Sequence, residues 1–223
     1  MNDVSVAGLY DVSQTRAAAL FCGVSYPWAA MSRLSEFLAA LCDTLSPEEF
    51  EQRENGVFVA RDAQVADNAI LTAPCIVDHE AELRCGAFLR GGVLVGRRAV
   101  VGNSCEVKNA VLFNRAQVPH FNYIGDSVIG YCAHFGAGAV TSNLKSDRSF
   151  VTVKAGDVWF DTGRKKVGAF VGDGAEIGCG AVLCPGAVIG KGATVYPQSV
   201  VRGFVPHNHI YKTATRVVKK EAR

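Results

Sequence analysis

A mainly β chain wound as a parallel β-helix of six-residue repeats, behind an α-helical N-terminal segment, is the fold this sequence predicts. Three observations predict it. Val65, Leu71, Val77, Leu83, Leu89, Val95, Val101, Val107 and Phe113 recur at every sixth position. A second column four places on, at Ala69, Cys75, Ala81, Ala87, Val93, Ala99, Cys105 and Val111, holds small or modest side chains that suit tight turns. The register returns late in the chain at Val171, Ile177, Leu183, Ile189, Val195 and Val201, with Ala175, Ala181, Ala187, Ala193 and Ser199 in the small column. A period of six is neither the 3.6 of a helix nor the 2 of a strand, and it marks a stacked repeat architecture. Three hexads make one triangular coil. Each residue should then lie one strand spacing, about 4.8 Å, from the residue 18 positions on, and the large aliphatics stack inward as a continuous core.

Residues 1–55 follow another rule. Trp28, Met31, Leu34, Phe37, Leu38, Leu41 and Leu45 fall at helical spacing just after Pro27, and Ser46-Pro47-Glu48-Glu49 reads as a capping box with proline at the first helical position. The stripe is expected to seal the exposed edge of the first coil. The repeat domain is placed at 56–213, with departures from the register at 114–123 and 142–169. Within the second departure Val151-Thr152-Val153 and Val158-Trp159-Phe160, around Ala155-Gly156-Asp157, predict a short hairpin. Residues 214–223 read as a basic tail, an exposed strand or helix.

With 223 residues, 49% hydrophobic residues and a net charge of +2, the composition is that of a soluble globular chain and gives no argument for nucleic acid. No apolar run approaches the roughly 18 residues of a membrane span. The N-terminus lacks the basic-then-apolar order of a secretory leader, so a cytoplasmic protein with no membrane partner is expected. Eight cysteines without a C-x-x-C pair are expected to be buried, reduced thiols.

The stretch Glu106–Tyr123 (EVKNAVLFNRAQVPHFNY) is where the repeat first breaks. Arg90 and Lys108 lie 18 positions apart and should stack on one edge, where two cations repel unless an anion lies beside them. A phosphate would satisfy both, while two solvated surface cations would need no ligand. His120 follows a proline among Phe121, Asn122 and Tyr123. An imidazole, with its ordinary pKa of about 6.5, can take a proton from a nucleophile at neutral pH, although an isolated loop histidine can equally be structural. The five histidines offer no H-x4-H pair of the kind the zinc-dependent carbonic anhydrases of this repeat class use, so no metal is expected.

The run EVKNA…PHFNYIGDSVIG…FGAGAVTSN, with its spacing Arg-x17-Lys-x11-His-x2-Tyr, resembles the acetyltransferase domain of the bifunctional glucosamine-1-phosphate acetyltransferases/N-acetylglucosamine-1-phosphate uridylyltransferases. It is also similar to archaeal sugar-1-phosphate nucleotidylyltransferases carrying that domain, and to short bacterial proteins related to UDP-N-acetylglucosamine pyrophosphorylase. The resemblance covers about residues 60–213. It implies a left-handed β-helix, a homotrimer with the active site between adjacent β-helices, acetyl-CoA as cosubstrate, and a place in nucleotide-sugar or cell-envelope metabolism.

Position by position, the resemblance implies that Arg90, Lys108 and Tyr123 contact the sugar phosphate and that His120 is the general base. Asn143 would orient the amino sugar. Ala137, Cys179 and Lys212 would line the coenzyme channel, backbone N–H groups of residues 136–138 would hold the oxyanion, and Arg164, Lys165 and Lys166 could meet coenzyme phosphates. His134, Leu144 and Ser149 depart from the family's asparagine, tyrosine and lysine, with Lys145, Lys154 or Lys165 as possible replacements for the lysine. The departures point away from glucosamine-1-phosphate itself and leave an amino sugar phosphate as the acceptor class. No L-x-x-G-x-G-T-[RK] loop occurs, so nucleotidyl transfer is not expected. Acetyl transfer to an aminated nucleotide sugar, or a non-catalytic sugar-phosphate-binding or assembly role, are the other readings.

Overall fold

The computed structural model describes residues 3–221. Short strands alternate with turns and stack into three flat sheets, two of nine strands and one of seven, which form the faces of a triangular prism. All coil-to-coil pairings are parallel, as in Cys75–Val77 with Val93–Val95 and Val182–Leu183 with Val200–Val201. Alternate residues of the strands fill the interior. Val59, Val77, Val95, Leu112, Ile129, Val171, Ile189 and Val205 are direct partners along one face, all 0–1% exposed. The hexapeptide period thus becomes a column of branched aliphatics, in the form that fits a left-handed β-helix.

The rhythm break proves to be a shortened coil. Strand Val93–Val95 pairs with Ala110–Leu112 at an offset of 17, whereas Phe88–Arg90 pairs with Glu106–Lys108 at 18. Where the earlier coil turns through Gly91 and Gly92, both at positive φ, the later one turns through Asn109 alone, at φ 44°. The offset of 17 persists through the next coil, where Ile124 pairs with Thr141 and Gln117 with His134. Residues 114–123 are therefore no loop: Gln117–His120 is a regular strand on Val100–Asn103.

The N-terminal helices do not seal the first coil. Leu9, Tyr10, Phe21, Trp28, Met31, Leu34 and Leu38 lie along one nine-stranded face and bury its outward residues Ile76, Leu94, Val111, Phe113, Val128, Phe170 and Val188. This face carries apolar residues on both sides, so it must be covered. The open ends are closed instead by hairpins, Phe50–Glu54 antiparallel to Val57–Ala60 and Arg216–Lys219 antiparallel to His209–Thr213. The capping box starts no helix: Ser46–Glu49 makes a single turn into strand Phe50–Glu54. The tail beyond residue 213 is likewise that closing strand, as far as it is described.

The hairpin expected at 151–160 forms as Thr152–Ala155 with Val158–Asp161 and folds onto the same covered face, with Val151, Val153 and Ala155 buried. Four cysteines, at 42, 75, 105 and 184, are buried, but those at 22, 85, 132 and 179 are exposed, against the expectation that all would be buried. No helix among the described residues is long and apolar enough to cross a membrane.

Candidate active site

The seven-stranded face and the two edges that bound it carry the residues singled out above. At the edge joining the open nine-stranded face to the seven-stranded face, successive coils stack His120 on Asn103, Ala137 on His120 and Cys179 on Ala137. The ladder of amides is Phe121 N to Asn103 O (2.9 Å), Gly138 N to His120 O (3.0 Å), Gly180 N to Ala137 O (2.8 Å) and Gln198 N to Cys179 O (2.8 Å). His120, Ala137 and Cys179 are all exposed, and the His120 imidazole makes no hydrogen bond among the described residues.

Lys212 lies farther along the same edge, with its ammonium 5.4 Å from the Tyr196 ring centre. The amides of Gly136 and Gly138 are spent on Ile177 O and His120 O. Of the three oxyanion donors expected there, only Ala137 N–H remains without a hydrogen-bond partner among the described residues.

Asn122, which the sequence reading passed over, builds this edge. It is 2% exposed. Its Oδ1 accepts from His120 N (3.0 Å) and its Nδ2 donates to Gly136 O and Ala139 O, each at 2.9 Å. The side chain thereby lets Phe121 take φ 52° and sets the direction in which His120 leaves the strand. Gly102 is needed beside it, because a Cβ there would overlap Pro119 O at 1.6 Å.

At the other edge of the seven-stranded face, Asn109, Asp126 and Asn143 stack at intervals of 17. Asn109 Nδ2 donates to Asp126 Oδ1 (2.7 Å), and Asn143 Nδ2 donates to Asp126 Oδ2 (2.5 Å) and to the Tyr123 hydroxyl (3.1 Å). Asp126 is 4% exposed, and its two oxygens are held by these amides. The Tyr123 ring runs across the face between the two edges. Gly125 gives it room, since a Cβ there would stand 2.5 Å from the Tyr123 Oη. Burial, with the Asp126 and Glu106 carboxylates nearby, pushes the Tyr123 hydroxyl above its ordinary value, so it stays protonated at neutral pH.

Arg90 and Lys108 do lie on adjacent coils of this face. They are not, however, two bare cations. Arg90 Nη1 donates to Glu106 Oε1 at 2.5 Å, while Lys108 makes no ion pair among the described residues. Glu106, also missed from sequence, neighbours Tyr123 in the pairing of the strands.

The departures from the family pattern are engaged elsewhere. His134 Nδ1 contacts Glu176 Oε2 (2.9 Å) on the open face, and Leu144 pairs with Lys166 at the base of the 142–169 insertion. Lys145 Nζ donates to Ser149 Oγ (3.0 Å), so its ammonium stands beside the residue in place of the family's lysine. Lys154 and Lys165 instead face the rings of Trp159 and Phe150. Among the described residues no three His, Cys, Asp or Glu side chains group to hold a metal ion.

Residues 168–203 match the family model of the bacterial transferase hexapeptide (six repeats). The chain is 31% identical over 177 residues to a bifunctional sugar-1-phosphate nucleotidylyltransferase/acetyltransferase of Sulfurisphaera tokodaii, covering 71% of this chain and 44% of that one. It is 26% identical over 163 residues to the bifunctional protein GlmU of Methanococcus maripaludis, covering 70% and 38%. The chain thus spans less than half the length of these relatives. Among solved structures, it is similar to a variant of AntD, an N-acyltransferase from Bacillus cereus, in complex with dTDP-4-amino-4,6-dideoxyglucose and coenzyme A. The TM-score is 0.41 at 14% identity, covering 78% of this chain and 91% of that one.

Proposed function

We propose that this hexapeptide-repeat protein is an acetyl-CoA-dependent N-acetyltransferase whose acceptor is an amino sugar phosphate. The observation that carries the reading is the column of His120, Ala137 and Cys179 on one edge, one short strand away from the Tyr123–Asn143–Asp126 cluster. A base and a coenzyme edge then flank a polar acceptor face. The similarity to a relative that bears an acetyltransferase name supports the same reading.

In this mechanism Lys108 and Arg90 hold the acceptor phosphate, Arg90 being shared with Glu106. Tyr123 donates to a sugar oxygen, and Asn143, fixed by Asp126, orients the amine. His120 takes a proton from the amine as its nitrogen forms a bond to the thioester carbon, and the thiolate of coenzyme A leaves as the tetrahedral centre collapses. Ala137 N–H is the free donor for the oxyanion. Coenzyme A runs along the Cys179 edge towards Lys212. Chains assembled as a homotrimer in the cytoplasm would bring Arg164, Lys165 and Lys166 of a neighbour towards the coenzyme.

Release of coenzyme A, followed by thiol titration with a panel of amino sugar phosphates that includes glucosamine-1-phosphate, tests this. Turnover that His120→Ala lowers by about 10²–10⁴-fold is the expected result. Binding of sugar phosphates without turnover of any acceptor would overturn it. That outcome would favour a sugar-phosphate- or nucleotide-sugar-binding or assembly role, a reading to which the engagement of His134 with Glu176 lends weight.

A further inference from the structure

The edge between the covered and the open nine-stranded faces has no part in the proposed reaction. There, four consecutive coils place Glu80, Arg98, Arg115 and Cys132 at one turn position, with φ of 56°, 57°, 58° and 55°. The adjoining amides confirm the stacking: Arg98 N donates to His79 O (2.9 Å), Arg115 N to Arg97 O (2.8 Å) and Cys132 N to Asn114 O (3.2 Å). Arg98 therefore lies one coil, about 4.8 Å, from Arg115, and Arg97 one coil from Asn114.

Among the described residues, Glu80 is the one carboxylate these guanidiniums contact. Its Oε1 accepts from Arg97 Nε (2.9 Å) and its Oε2 from Arg98 Nε (2.8 Å). The Arg115 side chain makes no ion pair or hydrogen bond among the described residues. Three guanidiniums thus share one contacting carboxylate, while Asp62 and Asp78 nearby are engaged by His79 and Arg16.

A cavity of about 320 Å³ opens on them, lined by Gln14, Arg97, Arg98, Asn114, Arg115 and Tyr131. Among the described residues no acidic side chain lines it. Asn114 N donates to Gln14 O (2.9 Å), so the N-terminal segment supplies one wall. An adjoining cavity shares Arg98 and Arg115 and adds Cys132, His134 and Glu176. The Glu176 carboxylate there is already engaged by His134, and Asp173, farther along the edge, by Lys191 at 3.4 Å.

We propose that this arginine edge is a second anion site, separate from the acceptor face, that binds the phosphate or diphosphate group of a small molecule. Stacked guanidiniums with unused donors match the several acceptor oxygens and multiple charge of such a group. A single carboxylate would leave positive charge uncompensated.

Calorimetric titration of the full chain with inorganic pyrophosphate, at fixed ionic strength, tests the proposal. Arg115→Asn and Arg98→Asn remove the charge and keep a residue that tolerates the left-handed turn. Arg84→Ala, which removes an arginine paired with Glu82 on the open face, serves as the control, and Arg90→Ala removes an acceptor-face cation so that binding there is told apart from binding at the edge. Each edge variant is expected to weaken at least tenfold a binding event that Arg84→Ala leaves unchanged and that persists in Arg90→Ala, where any acceptor-face binding is lost. Bound pyrophosphate should also slow alkylation of Cys132, read peptide by peptide, and not that of exposed Cys85. Absence of binding at millimolar pyrophosphate, wild-type affinity in both edge variants, or loss of all binding in Arg90→Ala would overturn it. The last result would assign the anion to the acceptor face.

Discussion

Asn122 and Gly125 do more to shape the proposed acceptor face than the residues that would touch a ligand. Asn122 satisfies the His120 amide and the Ala139 carbonyl, each of which would cost about 1–3 kcal/mol if left unpaired in a buried place, and it shares the Gly136 carbonyl with Ala139 N–H. Gly125 leaves the space in which the Tyr123 ring lies. Gly125→Ala would set a Cβ 2.5 Å from the Tyr123 hydroxyl, so the ring must leave Asn143. The variant should fold with a thermal midpoint close to the wild type and show a KM for the acceptor raised about tenfold or more, with the KM for acetyl-CoA unchanged. An unchanged acceptor KM would show that Tyr123 is not a contact. A single asparagine or glycine carries no periodic signal, which is why sequence reading found Tyr123 and Asn143 and passed over the two residues that position them.

At the scale of elements, the N-terminal segment acts as a side wall. Phe113 is fully buried, with Tyr10 and Phe21 ring centres 5.2 and 5.8 Å away. Phe113→Ala should cost about 3–5 kcal/mol, read as a lowered urea midpoint at unchanged slope. A cost under about 1 kcal/mol would mean that the helices rest on the face without being fastened to it. The helical stripe from Trp28 to Leu38 was legible because spacing reports which side of a helix is apolar. Its docking place was not, because the outward apolar residues Ile76, Leu94 and Val111 occupy the same hexads as the inward ones. The alternation that would expose a bare face is missing on a face buried from both sides.

For the whole molecule, the shortened coil matters most. One residue fewer at Asn109 brings Asn109, Asp126 and Asn143 into one column, and Asn103, His120 and Ala137 into another. The interior core continues undisturbed through both coils. The prism also divides the thiols. Cys22, Cys85, Cys132 and Cys179 should react with a thiol reagent in the native protein, and Cys42, Cys75, Cys105 and Cys184 only after denaturation. Burial pushes the Cys75 and Cys105 thiols upward and slows them further. Rapid reaction of Cys75 in native protein would contradict the closed core.

The β-helix itself was determined by sequence alone, because a six-residue period repeated over many coils admits one way of burying its aliphatics. The candidate residues Arg90, Lys108, His120, Tyr123 and Asn143 were legible through a motif whose spacing survives without any structure. Their partners were not. Counting by 18 places Asn109, Asp126 and Asn143 out of line, and only the pairing of strands shows that the count changes to 17. Which cations are neutralised was also decided in three dimensions. Arg90 meets Glu106 and two arginines share Glu80 because coil stacking, which sets the neighbours of every outward side chain, is a property of the folded chain.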